Sequence, residues 1–366
     1  MRLGLYLARR FLISVAIVAA VFGGILLLID MVEQIRRFAG NPDVGLGLAF
    51  QIAALNLPGG LYRILPLVVM LGAVAMFLAL ARSSELVVIR AAGRSAIRAL
   101  VAPALTAFLL GLVTVALINP MVVATSRVAD EVAASLTRDG SQSVLSVSQE
   151  GLWLRQGNPD GQTVIRAARA NLDGTHLFKV TFLNFDAGGQ PVSRMEASEA
   201  VLSPGAWTLN KVKTWQLDAP NPETAATHDE TRMLPTDLTA GKIRESFSAP
   251  DAVAIWDLPG FISGLERAGF SAQKHRVWLQ RELALPLTLA VMVLLAAGFT
   301  MRHVRFGRSG TMVLMAVLAG FAMFFLRNFA QVLGENGQIP VAMAAWAPPA
   351  VALMASLGLL LHLEDG

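Results

Sequence analysis

The 366-residue chain is 54% hydrophobic and 15% charged, has no cysteine and carries a formal net charge of +4. A soluble domain carries about 25% charged residues, so an ordinary globular protein is excluded, and the lack of cysteine excludes disulfides, thiolate catalysis and Cys-ligated metals. The basic residues sit at the ends of apolar runs rather than on one soluble face, which suits anionic lipid headgroups and excludes nucleic acid as a partner.

The first apolar run is Leu12–Ile29. It is longer than a signal-peptide core, no small-residue cleavage site follows, and Asp30, Glu33, Arg36 and Arg37 come next, so a retained anchor is expected. Further apolar runs are Leu65–Leu80, Leu100–Leu117, Leu283–Met301, Met312–Leu326 and Val341–Leu361. A hydrocarbon core about 30 Å thick takes about 20 helical residues to cross, and these runs are too long for barrel strands. Six transmembrane helices are therefore expected, with both termini on one side. Arg2, Arg9 and Arg10, the 82–98 connection and the 302–309 connection supply that side with arginines, which makes it the cytoplasm.

Between spans three and four the pattern changes. Gly151–Arg155, Thr163–Ala168, Leu177–Phe185 and Trp207–Leu217 are short mixed runs. Turn residues separate them at 157–161, 188–189 and 203–205, as in a sandwich or jelly roll. Asp218–Glu230 reads as a polar loop and Pro259–Gly269 as a short amphipathic helix. The expected division is 1–120 for spans one to three, 121–280 for an all-β domain with connectors, and 281–366 for spans four to six. The interior of the β-domain is expected to include Trp153, Ile165, Phe182, Phe185, Trp207 and Trp215, either as a plain core or as an apolar path for lipid.

The connection between spans two and three reads RSSELVVIRAAGRS over 82–95. A serine cap, Glu85 in the first turn and Gly93 at the end describe a short helix. It is either a solvated hairpin or a coupling helix that offers Glu85, Leu86, Ile89 and Arg90 to a motor protein. This run, the QEGLWLRQG segment at 149–157 and the order of three spans, β-domain and three spans resemble the LptF/LptG family of lipopolysaccharide export permeases, on its LptG branch. The resemblance covers essentially the whole chain.

It implies a periplasmic jelly roll, an inner-membrane location and a permease subunit that moves lipopolysaccharide toward the outer membrane. The implied partners are an LptF-like permease in a heterodimer, an LptB-like ATPase dimer and an LptC-like periplasmic bridge protein. Glu85 is then the ATPase contact, with Arg90 and Arg94 beside it. Arg36 and Arg37 match a basic pair that meets lipid phosphates, Arg127 falls near another basic position, and Asp30 stands where some relatives have lysine. Arg63 and Arg327, near the same membrane boundary, extend that lipid-binding set on charge alone, against the plainer reading of arginines that snorkel to headgroups. Spans one and five, with Gly23 and Gly24 or Ala319 and Gly320, are the expected partner interface.

Catalysis within the chain is not expected. Gly307-Arg308-Ser309-Gly310-Thr311 lacks the lysine and spacing of a phosphate loop, so ATP and Mg would be bound by the partner ATPase and no cofactor by this chain. The histidines are scattered without metal-ligand spacing, and no metal site is expected. Two rival readings are a lipoprotein-release permease, which would carry its large domain after the first span, and a non-transporting membrane scaffold or receptor.

Overall fold

The computed structural model describes residues 2–38, 45–83, 85, 96–136, 152–158, 161–171, 174–186, 188–236, 250–267, 271–301 and 309–364. The chain divides into two compact units, one of residues 1–137, 250–259 and 273–366, the other of residues 138–249 and 260–272. The connectors 121–136 and 273–280 thus group with the spans rather than with the strands.

The first unit is helical. Within hydrocarbon every backbone N–H and C=O needs a partner in its own segment, which long helices provide. Helices α1 (Arg2–Arg37) and α2 (Leu46–Arg82) form an antiparallel hairpin. Helix α3 (Ala96–Val113) passes through a single π-helical stretch, Thr114–Ile118, into α4 (Asn119–Leu136) without a break in direction that would divide the span. Helix α5 (Leu258–Arg267), most of which belongs to the second unit, is the short amphipathic helix expected after the strands. Helices α6 (Gln273–Leu283) and α7 (Leu285–Thr300) meet at a 51° bend, where Pro286 opens α7. Helices α8 (Ser309–Glu335) and α9 (Val341–Glu364) complete the set. Among the described residues five helical stretches are long and apolar enough to cross a membrane, and the bent α6–α7 pair, taken as one span, makes a sixth.

Span two lies at the centre. Phe11 and Val15 of α1, Val69, Met70, Ala73 and Met76 of α2, and Leu289, Val293 and Ala296 of α7 share one buried cluster. Two glycines set its tightness. A Cβ on Gly72 would fall 2.8 Å from the Val15 Cα, and one on Gly111 would fall 2.5 Å from the Pro286 Cα. Gly320 packs against Met70 of the same chain, so it serves an internal contact rather than the expected partner interface, whereas Gly24 faces open space.

The second unit holds β1 (Leu152–Asn158), β2 (Gly161–Ala170), β3 (His176–Asp186), β4 (Pro191–Ser203), β5 (Ala206–Gln216) and β6 (Thr227–Pro235). They form one antiparallel sheet in the order β1-β2-β3-β4-β5-β6. The all-β insert is as expected, and its six described strands connect in chain order, each to the next. Strands β4 and β6 were not legible in the sequence, and residues 227–230 of the expected polar loop belong to β6.

The sheet is creased. Pairing skips the row formed by Ala168, Lys179, Ser198, Lys211 and Glu230. Alternation should bury residues an even number apart. Across this row the buried pairs are instead three apart: Ala167 and Ala170, Leu177 and Val180, Ala197 and Ala200, Leu209 and Val212. Lys179 and Lys211 both take φ 51°, and the Ser198 hydroxyl donates to the Asn210 carbonyl at 3.0 Å. The row therefore turns the sheet while the same apolar face stays inside.

Candidate functional site

Glu85 follows the end of α2 and is tied to α1. It accepts hydrogen bonds from the Tyr6 hydroxyl at 2.8 Å and the Ser83 hydroxyl at 2.9 Å, and pairs with Arg10 at 3.2 Å. Arg10 also lies over the Tyr6 ring. The tyrosine hydroxyl, then Ser83 and Arg10, hold the Glu85 carboxyl below the usual carboxylate range. About a third of the side chain remains in solvent, so this anion stays available from outside. Leu86, Ile89, Arg90 and Arg94, the rest of the expected coupling helix, lie outside the described residues.

The expected lipid-binding arginines occupy three different environments. Arg36 is exposed and pairs with Glu33 one turn back, and Arg37 lies over the Phe38 ring. Asp30 does not pair with them; it accepts hydrogen bonds from Gln34 and from Asn56 of α2, joining α1 to α2. Arg63 and Arg127 are exposed but both reach the segment just after residue 249: Arg63 pairs with Asp251 at 3.6 Å, and Arg127 donates to the Ala252 carbonyl at 3.3 Å. Arg327 is buried inside the bundle.

Arg327 belongs to a group that the sequence did not disclose. Glu282, at the end of α6, is 1% exposed. The Tyr62 hydroxyl of α2 donates to its carboxylate, and Arg327 of α8 and Arg281 act on it electrostatically. Asn119, at the junction of the π-helical stretch and α4, donates to the Tyr62 oxygen at 3.4 Å. The same Asn119 accepts from the Ile255 backbone N–H at 2.9 Å. Trp256 Nε1 donates to the Ala116 carbonyl, within the π-helical stretch, at 3.0 Å. An ionisable group buried in a membrane bundle is costly without compensation, which the Tyr62 hydrogen bond and the charges of Arg327 and Arg281 supply to Glu282. The only sequence signal was Arg281-Glu282 abutting an apolar run, which is indistinguishable from a span-end charge.

In the β-domain, Phe182 and Trp207 are both fully buried on the apolar face, with ring centroids 6.5 Å apart in an edge-to-face arrangement. Trp207 Nε1 is buried without a hydrogen-bond partner. Ile165 lies on the same face, whereas Trp215 is half-exposed, donating to Glu223 between Arg194 and Lys213. Phe185 is half-buried at the end of β3. Trp153 is placed on β1 opposite Arg166. Among the described residues no group of three His, Asp or Glu side chains is placed to hold a metal ion.

The geometry is thus an exposed, pinned carboxylate at one end of span two, a buried ion cluster at the other, and a creased apolar sheet between the third and fourth spans. Comparison with known proteins covers all three. A family model described as "Lipopolysaccharide export system permease LptF/LptG" matches residues 5–362. The chain is 26% identical over 337 residues to the lipopolysaccharide export system permease protein LptG of Escherichia coli (strain K12), spanning 92% of this chain and 91% of that protein. It is 25% identical over 339 residues to the protein of the same description from Haemophilus influenzae (strain ATCC 51907 / DSM 11121 / KW20 / Rd), spanning 91% and 90%.

Proposed function

The chain belongs to the lipopolysaccharide export permease family LptF/LptG, and from that premise we propose that it is the LptG-like transmembrane subunit of an ABC transporter. In this reading it sits in the inner membrane with both termini in the cytoplasm and the β-domain in the periplasm. It pairs with an LptF-like permease, couples to an LptB-like ATPase dimer and hands lipopolysaccharide to an LptC-like bridge protein. The observation that carries the reading is the family match, which runs from residue 5 to residue 362 across both sets of spans and the β insert.

The energetics require such a machine. Each acyl CH₂ moved from lipid to water costs about 0.8 kcal/mol, so a multi-acyl lipid exposed to water faces a barrier on the order of tens of kcal/mol. The lipid must pass from bilayer to an apolar protein face without meeting water, and a hydrolysis cycle must drive it. The β-domain offers such a face at Ile165, Phe182, Trp207 and Leu209, with Trp153 on the neighbouring strand β1. Arg36 and Arg37 would meet lipid phosphates at the far end of α1, and Arg63 and Arg127 would do so on release from Asp251 and Ala252. Glu85 would receive the ATPase. The outward apolar faces of α1 (Ile17, Val21, Ile25) and α8 (Leu318, Phe321, Phe325) suit the partner permease.

A photocrosslinking residue at Phe182 tests the path. The complete complex is expected to give an ATP-dependent lipopolysaccharide adduct there. Adducts at Arg36 or Arg37 alone would assign the conduit to the partner's β-domain. No adduct at any of these positions would favour a non-transporting scaffold.

A further inference from the structure

Three spans and one connecting segment are linked through Asn119. The segment is 250–257, through which the chain re-enters the helical unit after the β strands. It is held at successive points: Asp251 by Arg63, the Ala252 carbonyl by Arg127, the Ile255 N–H by Asn119 and the Trp256 indole N–H by the Ala116 carbonyl. Trp256 is 68% exposed, so its ring is not kept in place by burial; its N–H is what commits it. Ala116 lies in the π-helical stretch, where the backbone bonding pattern shifts and a carbonyl oxygen is free to accept from outside the helix.

Asn119 is 4% exposed, and both ends of its amide are used. Its oxygen takes the Ile255 N–H, and its nitrogen donates to the Tyr62 oxygen. Tyr62 in turn donates to Glu282, on which Arg327 acts electrostatically. The chain of contacts therefore runs from segment 250–257 through span three to span two and the entry of span four. Each polar member is costly to bury alone, so the links hold or break together rather than stretching. A network that breaks as a unit is what a two-state mechanical transmission would require.

We infer that Asn119 is a positioning residue for lipid export, fastening segment 250–257 to Tyr62 and through it to Glu282, so that span movement is delivered to the stretch of chain leading from the β-domain. The inference rests on the transport reading above and adds a residue to it. Asn119 touches no lipid in this role; it acts through Ile255 and Tyr62.

The test is the ratio of lipid released to ATP hydrolysed, measured on the whole complex in proteoliposomes with lipopolysaccharide and a soluble acceptor. Asn119→Leu removes both hydrogen bonds. Asn119→Asp keeps the acceptor for Ile255 and loses the donor to Tyr62, and Tyr62→Phe removes the hydroxyl with little change in volume. The expected result is near-normal hydrolysis with release per ATP reduced fivefold or more, the low end of typical inter-site coupling, most strongly for Asn119→Leu. An unchanged ratio overturns the inference, whether both rates persist or both fall. If Asn119→Leu does not assemble, the two near-isosteric variants decide the question by the same ratio. A wild-type complex that hydrolyses ATP without releasing lipid overturns the transport reading itself, and the inference with it.

Discussion

Glu85 and Glu282 are the same residue in nearly the same local company. Each accepts a hydrogen bond from a tyrosine, Tyr6 or Tyr62; Glu85 also pairs with Arg10, and Glu282 lies in the electrostatic field of Arg327 and Arg281. Ser83 and Tyr62, their partners on α2, are 21 residues apart, which is about 30 Å along a helix and comparable to the hydrocarbon thickness. What separates the two glutamates is water. Glu85 keeps about a third of its side chain in solvent, whereas Glu282 has none to speak of. A screened ion pair is worth little and can be broken and remade, and a buried one is costly to break. The exposed end therefore suits exchange with another protein, and the buried end suits holding helices in register.

The contrast is most open to attack at the buried end. Glu282→Ala leaves Arg327 as an uncompensated buried charge and is expected to cost about 3–5 kcal/mol in thermal or chaotrope unfolding of the purified chain. Replacing Glu282 and Arg327 together by leucine and methionine should recover most of that loss; a double variant as unstable as the single one would remove the electrostatic explanation. Next in size is Gly111→Ala. Its Cβ would lie 2.5 Å from the Pro286 Cα, backbone against backbone, for a cost of about 1–3 kcal/mol. A neutral result would mean that α3 and α7 can separate without penalty.

At the exposed end, Glu85→Lys should change stability by no more than about 1 kcal/mol. On the proposed coupling role it should nonetheless abolish ATPase association in co-purification. A large stability loss with association intact would erase the difference between the two ends. The smallest effect is expected in the β-domain. His176 first, then Asn210, holds the exposed Glu199 carboxyl below its usual range. A depressed carboxyl contributes stability that is complete above its unfolded pKa of about 4.3 and fades as pH falls through the lower folded value. Glu199→Gln should therefore lower the melting temperature slightly at neutral pH and flatten its decline in that acidic window, so that the two proteins converge in acid.

The spans were legible because hydropathy is a property of single residues summed along the chain. Their continuation past the apolar runs was not: α4 carries Arg127, Asp130 and Glu131 and remains helical to Leu136. Strand β4 hid because its buried residues are Met195, Ala197 and Ala200, two of them small, on either side of a phase change. Strand β6 is polar and mostly exposed and is identified only by its backbone pairing with β5. The crease accounts for both failures to read alternation, since period-two patterning cannot survive a row that resets it. Among the candidate site residues, Glu85 stood out through its motif, and Arg36 and Arg37 through charge. Glu282, Tyr62 and Asn119 did not, because what distinguishes them is burial among helices far apart in sequence. Arg327 was noticed as a boundary charge, and only packing reveals that it acts electrostatically on a buried glutamate.

The passage of α3 through the π-helical stretch into α4 has a further consequence, one of leverage. Helix α4 extends 18 residues beyond that stretch, about 27 Å of rigid rod. Bending by about 10° at its base would swing the far end by about 5 Å, close to one helical turn. A shift too small to disturb side-chain packing around Asn119 would thus arrive at Leu136, from which the chain runs on toward the strands, as a displacement the width of a neighbouring β-strand.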